Sequence, residues 1–191
     1  QLPRGLIQGQ KLTQLLRELT LPVSHVASFD ALPTAFRAVA TDLETGAAVT
    51  LKDGDLASAL RASLSAPGIF APVEREGRLL VDGGIADNLP IAVIREMNVD
   101  RLIVVDVGNP LQGRDNLDDV TTVANQMIAI MVRREGQKQL ATLSPDDVVI
   151  TPEMPRVSSY DFSSLPKAMR LGEQAAVAQQ ARLAGVSGSP A

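Results

Sequence analysis

The sequence predicts a layered α/β domain built on a mixed sheet. Three observations point there. Helical and strand-like patterns alternate along the chain. Two pairs of strand-like runs are joined by short glycine-containing turns, "ETG" at 44–46 and "REG" at 75–77, as in β-hairpins. The run "RLIVVDVG" (101–108) is continuously apolar, as in a strand covered on both faces.

In chain order, "QKLTQLLRELT" (10–20) places Leu12, Leu15, Leu16 and Leu19 at helical spacing, and Pro22 ends it. Phe29 to Pro33 form a connector. "FRAVATDL" (36–43) and "AAVTL" (47–51) are the first hairpin. Asp53 or Asp55 can cap a helix over "LASALRASLSA" (56–66), which Pro67-Gly68 closes. "FAPVE" and "RLLVD" form the second hairpin, whose second strand ends on Asp82. "LPIAVIREM" (89–97) is a short helix with Asn88 as N-cap and Pro90 in its first turn. After the buried strand comes a polar loop (109–117). A long helix over 118–140 then carries Val120, Val123, Ala124, Met127, Ile130 and Met131 on one stripe. Asp118 and Asp119 suit its positive N-terminal end. "VVITP" (148–152) is the last strand, residues 153–163 are irregular, and Ser164 caps a final helix (165–184) with Pro166 early and Gly185 closing it.

Length suits one domain, expected over 1–185, with 186–191 a small-residue tail leading out of it. The chain opens on Gln1 in what reads as a loop, whereas such domains usually open with a strand. A piece of a longer polypeptide is therefore expected, its sheet lacking members. With 45% hydrophobic but only 3% aromatic residues, the core must be aliphatic. A balance of 18 Lys+Arg against 22 Asp+Glu, no Trp and one Tyr give no footprint for nucleic acid. The absence of Cys removes thiolate catalysis and zinc-thiolate sites. No apolar run approaches the roughly 20 residues of a membrane span.

Few groups offer chemistry. His25, the only histidine, lies in a connector, so neither a Ser-His-Asp triad nor a multi-histidine metal site has support. No G-x-S-x-G nucleophile elbow occurs: "GVSGS" (185–189) lacks the last glycine, and in "LSAPG" (64–68) Ser65 follows Leu64, with Ser63 and Ser65 reading as last-turn helix residues. There is no glycine-rich phosphate loop, and the scattered acids lack calcium-loop spacing, so no cofactor and no metal is expected. Asp82 remains. It ends a strand of an α/β sheet, where functional groups gather. Gly83 and Gly84 can adopt positive φ and admit another backbone or a ligand. A tight turn whose aspartate accepts main-chain hydrogen bonds explains the same residues, and both readings stay open on spacing alone.

"LLVDGGIADNLPI" (79–91) resembles the Asp-Gly-Gly/Ala block of the patatin-like phospholipases. "GLIQGQKL" (5–12), "FRAVATDLETG" (36–46), "ALRASLSAPGIFAPV" (59–73) and "LIVVDVGNPL" (102–111) are similar to the segments that flank that block, in the same order. "DVVITPEM" (147–154) and "SSYDF" (158–162) resemble the bacterial, exported branch. The resemblance implies a serine acyl hydrolase with a Ser–Asp dyad and no catalytic histidine. Asp82 would be the general base, with Gly83 and Gly84 supporting it. The nucleophilic serine and oxyanion loop would lie upstream of this chain, so that the isolated chain is expected to be inactive. It further implies a phospholipid or other lipid ester taken from a membrane surface and an exported protein (secreted or at the outer membrane), and it allows the N-terminal half of the domain to be a separate chain. Two other classes remain: a non-catalytic binding or assembly module that keeps the fold, and a metal-assisted phosphoesterase using Asp82, Asp87 and Asp106.

Overall fold

A computed structural model describes residues 4–66, 69–108, 110–154 and 162–186. They form two compact units that meet in sequence between Val93 and Ile94.

The first unit opens with helix α1 (Arg4–Thr20), six residues longer at its start than its leucine pattern. Of that pattern Leu16 is buried and Leu12 half-buried, while Leu15 and Leu19 face outward. A connector with a single helical turn at Phe29–Ala31 leads to strand β1 (Ala38–Asp42) and its hairpin partner β2 (Ala48–Leu51). Helix α2 (Leu56–Ser63) follows, capped by Asp55, whose carboxylate accepts from the Ser58 amide at 3.2 Å. Strands β3 (Val73–Arg75) and β4 (Arg78–Asp82) are the second hairpin. Its turn has Glu76 at φ 53° and Gly77 at φ 74°, the left-handed pair that matches strand twist in a two-residue hairpin.

The four strands form one antiparallel sheet in the order β2-β1-β4-β3. β1 is central and buried along its whole length. Small side chains explain how: Ala38 and Ala40 meet Ala59 and Ala62 of α2, with Phe29, Leu51 and Leu80 completing the core. Phe29 and Phe36 pack with ring centroids 6.1 Å apart. α2 lies on β1 and β4, and α1 lies on α2.

The chain then passes through α3 (Ile91–Arg95). This helix is shorter than expected and begins at Ile91, so Asn88 is not its cap. The second unit pairs β5 (Ile103–Val105) with β6 (Val148–Ile150) in parallel, flanking the long helix α4 (Val120–Leu140) in sequence. Asp119 caps α4 by accepting from the Thr122 amide at 2.9 Å. The predicted final helix is two: α5 (Leu165–Ala178) and α6 (Gln180–Val186), broken at Gln179, with Gly185 inside α6 rather than beyond it. Ser164 occupies the N-cap position of α5, though its side chain does not make the capping hydrogen bond. "SSYDF" and the tail after Val186 lie outside the residues whose side chains are described.

The α/β class holds, with the antiparallel and parallel pairings in two separate sheets. The expected coverage of β5 does not. β5 buries only Val104, while Ile103 and Val105 are half exposed. The α4 stripe also faces outward, Val120, Met127 and Met131 most of all. Apolar runs mark faces suited to burial, and the described residues of this unit do not cover both faces of its two-stranded sheet.

Candidate functional site

β4 carries its chain out of the core. Leu80 and Val81 are buried, and Asp82 is half-buried at the rim. Three contacts fix the Asp82 main chain. It pairs with Ala40 of β1. Its amide donates to the Ser65 carbonyl at 3.0 Å, and its carbonyl accepts from the Thr41 hydroxyl at 2.7 Å. The same Thr41 oxygen accepts from the Ala86 amide at 3.2 Å. One buried hydroxyl thus spans the turn from its first residue to its end.

That turn is a single helical turn, Gly83–Ile85, with Asp82 as its cap. Asp82 Oδ1 accepts from the Gly84 amide at 2.8 Å. Oδ2 accepts no hydrogen bond from the described residues. The carboxylate is therefore oriented through one oxygen and available through the other. The main-chain bond expected of a tight turn and the free acceptor expected of a reactive acid coexist in one group.

Of the two reasons expected for the glycines, positive φ is not used, for neither has it; close approach of another backbone is found. Gly83 is buried with its Cα against β1, where an added Cβ would stand 2.0 Å from the Val39 carbonyl oxygen. A Cβ on Gly84 would stand 2.8 Å from Asn88 Oδ1 and 3.2 Å from Asp82 Oδ1. Close approach, not dihedral freedom, requires glycine here.

Behind Asp82 lies a polar cluster that the sequence did not reveal. Ser65 sits two residues past the end of α2, fully buried. Its Oγ donates to the Arg61 carbonyl at 2.7 Å and accepts from Arg61 Nη1 at 2.5 Å. The Arg61 side chain is itself buried, with Nη2 donating to the Ala71 carbonyl at 3.3 Å and its guanidinium 4.8 Å above the Phe70 ring. Burial pulls the Arg61 guanidinium below its ordinary value. Among the described residues no carboxylate pairs with it.

His25 is exposed in a turn after α1. Asp87 shares the Asp82 turn, its amide donating to the Gly83 carbonyl at 2.9 Å. Asp106 belongs to the second unit, where its Oδ1 accepts from the Gly108 amide at 2.9 Å. Among the described residues no three His, Asp or Glu side chains gather as a metal ion would require. Among the same residues no helix is long and apolar enough to cross a membrane.

Fold and site define an α/β protein with a half-buried acid at a strand's carboxyl end, braced by neutral main-chain and hydroxyl contacts. The family model "Patatin-like phospholipase" matches residues 1–94, and that part of the chain is similar to a patatin-like domain. An uncharacterized NTE family protein of Mycobacterium tuberculosis is 40% identical over 119 residues, 61% of this chain and 32% of the relative. A second one from the same organism is 26% identical over 166 residues, 76% of this chain and 28% of the relative. Lysophospholipase NTE1 of Saccharomyces cerevisiae is 27% identical over 135 residues, 59% of this chain and 8% of the relative. The chain thus spans about a third or less of the length of these relatives. Nothing in the matches supports the exported branch.

Proposed function

We propose that this chain is part of a lipid acyl hydrolase in which Asp82 is the general base of a Ser–Asp dyad. The observation that carries the reading is the divided Asp82 carboxylate, Oδ1 held by the Gly84 amide and Oδ2 without a donor among the described residues. A base needs both properties, a fixed direction and a free lone pair within hydrogen-bond reach of the hydroxyl it deprotonates.

Asp82 Oδ2 takes the proton of a serine hydroxyl as that oxygen attacks the ester carbonyl. When the tetrahedral intermediate collapses, the C–O bond to the leaving alcohol breaks and Asp82 returns the proton to it. A water then attacks the acyl-serine, its proton passing to Asp82 and back to the serine oxygen. No histidine is required, in keeping with the exposed position of His25.

The 191 residues contain no G-x-S-x-G string. The serine and the oxyanion donors are accordingly proposed to come from the remainder of the same domain, in the same polypeptide or as a companion chain. Residues 94–185 are proposed to complete that domain. The patatin-like match and the yeast relative's name favour a phospholipid or lysophospholipid ester, drawn from a membrane surface, as substrate.

The full-length protein treated with a fluorophosphonate probe tests this. The expected result is one labelled serine outside residues 1–191, with labelling and hydrolysis lost together. Absence of labelling in folded full-length protein would favour a non-catalytic module.

A further inference from the structure

A buried guanidinium with only neutral partners is costly, because the charge loses water without gaining a counter-charge. Arg61 is such a group among the described residues, and its contacts are directed. One arm reaches Ser65 Oγ, the other the Ala71 carbonyl, and its face lies on Phe70. It thereby ties together Ser65 and Ala71, both ends of the segment that runs from α2 toward β3. α1 closes over it so tightly that a Cβ on Gly9 would stand 2.9 Å from Nη2.

Ser65 is held twice by Arg61, through the guanidinium and through the main-chain carbonyl. The carbonyl of Ser65 is in turn the acceptor for the Asp82 amide. A short relay of hydrogen bonds therefore joins the buried cation to the main chain of the acid: Arg61 Nη1 to Ser65 Oγ at 2.5 Å, and Asp82 N to Ser65 O at 3.0 Å. Its last bond is at the residue whose direction decides whether Oδ2 meets a hydroxyl.

We propose that Arg61 is a positioning residue for Asp82, acting through Ser65 to fix the main chain from which the carboxylate projects. The inference rests on the role proposed for Asp82. It needs the planar two-armed guanidinium, since a single ammonium could not hold Ser65 and Ala71 in one fixed geometry. Arg61 itself touches no reacting atom.

The test uses the full-length protein with a lysophospholipid ester, assayed well below the melting temperature of each variant. S65A removes only the hydroxyl of the relay, and R61Q removes its cation. Each is expected to lower kcat by about 10- to 100-fold, with KM changed less than about 3-fold, because a misdirected base slows chemistry more than binding. The double variant R61Q/S65A is expected to lose no more than the worse single one, since both break the same relay. Folded S65A with wild-type kcat, or losses that multiply in the double variant, would overturn the inference. S65A is small enough to keep this decisive where R61Q does not fold. D82N separates the two readings. Activity retained in D82N sinks the role of Asp82 itself, whereas inactive D82N beside fully active S65A sinks only the relay.

Discussion

Gly83 and Val39 approach so closely that no side chain fits between them: a Cβ on residue 83 would stand 2.0 Å from the Val39 carbonyl oxygen. The contact joins the turn after β4 to the central strand β1, so the place of Asp82 is set by backbone lying on backbone. Gly83→Ala must push the turn or β1 aside. Overpacking of this kind costs about 1–3 kcal/mol, and the rigid main-chain partner places this site at the upper end. Urea unfolding should show the lowered midpoint, and kcat should fall further than the folded fraction does.

Thr41 offers a gentler perturbation. Its hydroxyl donates to the Asp82 carbonyl and accepts from the Ala86 amide. Thr41→Val keeps the shape and leaves the Asp82 carbonyl without that donor, at a cost of about 1–3 kcal/mol. The Ala86 amide retains its bond to the Gly83 carbonyl at 3.1 Å. Thr41→Ser, which restores the hydroxyl, should recover most of the stability in a denaturant titration. Equal stability of the Val and Ser variants would show that the spanning hydroxyl is unimportant.

The second unit has its own polar clasp. Asp147 is buried between the β5 and β6 ends, accepting from the Leu102 amide at 2.8 Å, from the Ser144 amide at 2.7 Å and from the Ser144 hydroxyl at 2.8 Å, with Arg95 as ion-pair partner. Burial alone would raise its carboxyl. The Ser144 and Leu102 donors and the Arg95 charge outweigh this and hold it below the ordinary carboxylate range. A folded value below the unfolded one means that the stabilisation is complete above the unfolded value, about 3.9, and is lost as pH falls through the folded value. Thermal melts should therefore show stability declining below about pH 4. Asp147→Asn should be less stable at neutral pH by about 3 kcal/mol and should flatten that acid limb.

Asp55 provides a contrast distant from the chemistry. Its carboxylate caps α2 through the Ser58 amide. Asp55→Ala should cost about 1 kcal/mol, read from the unfolding midpoint, with kcat of the folded protein unchanged.

Local chemistry was legible in the sequence and long-range chemistry was not. The hairpin turns at Gly46 and Gly77 and the strand ending on Asp82 each depend on a few adjacent residues and are found where the pattern placed them, and of the two caps offered, Asp53 or Asp55, the structure uses Asp55. Close approach of another backbone at Gly83 was legible and positive φ was read in error, but that the partner is β1 is a property of the sheet and not of the turn. Thr41 lies 41 residues from Asp82, and nothing in its own strand marks that contact. Nothing local marks Arg61 as buried, since a charge in a helical pattern is ordinarily solvated. The α4 stripe gave the helix correctly, but periodicity identifies a face without saying what lies against it.

The most direct test of the role of Asp82 is ester hydrolysis by full-length protein carrying Asp82→Asn, a change that keeps an oxygen for the Gly84 amide while removing the proton acceptor. A loss of kcat of at least about 100-fold, within the range typical of general-base catalysis, is expected with the melting temperature nearly unchanged. Turnover at the wild-type rate by that folded variant would contradict it.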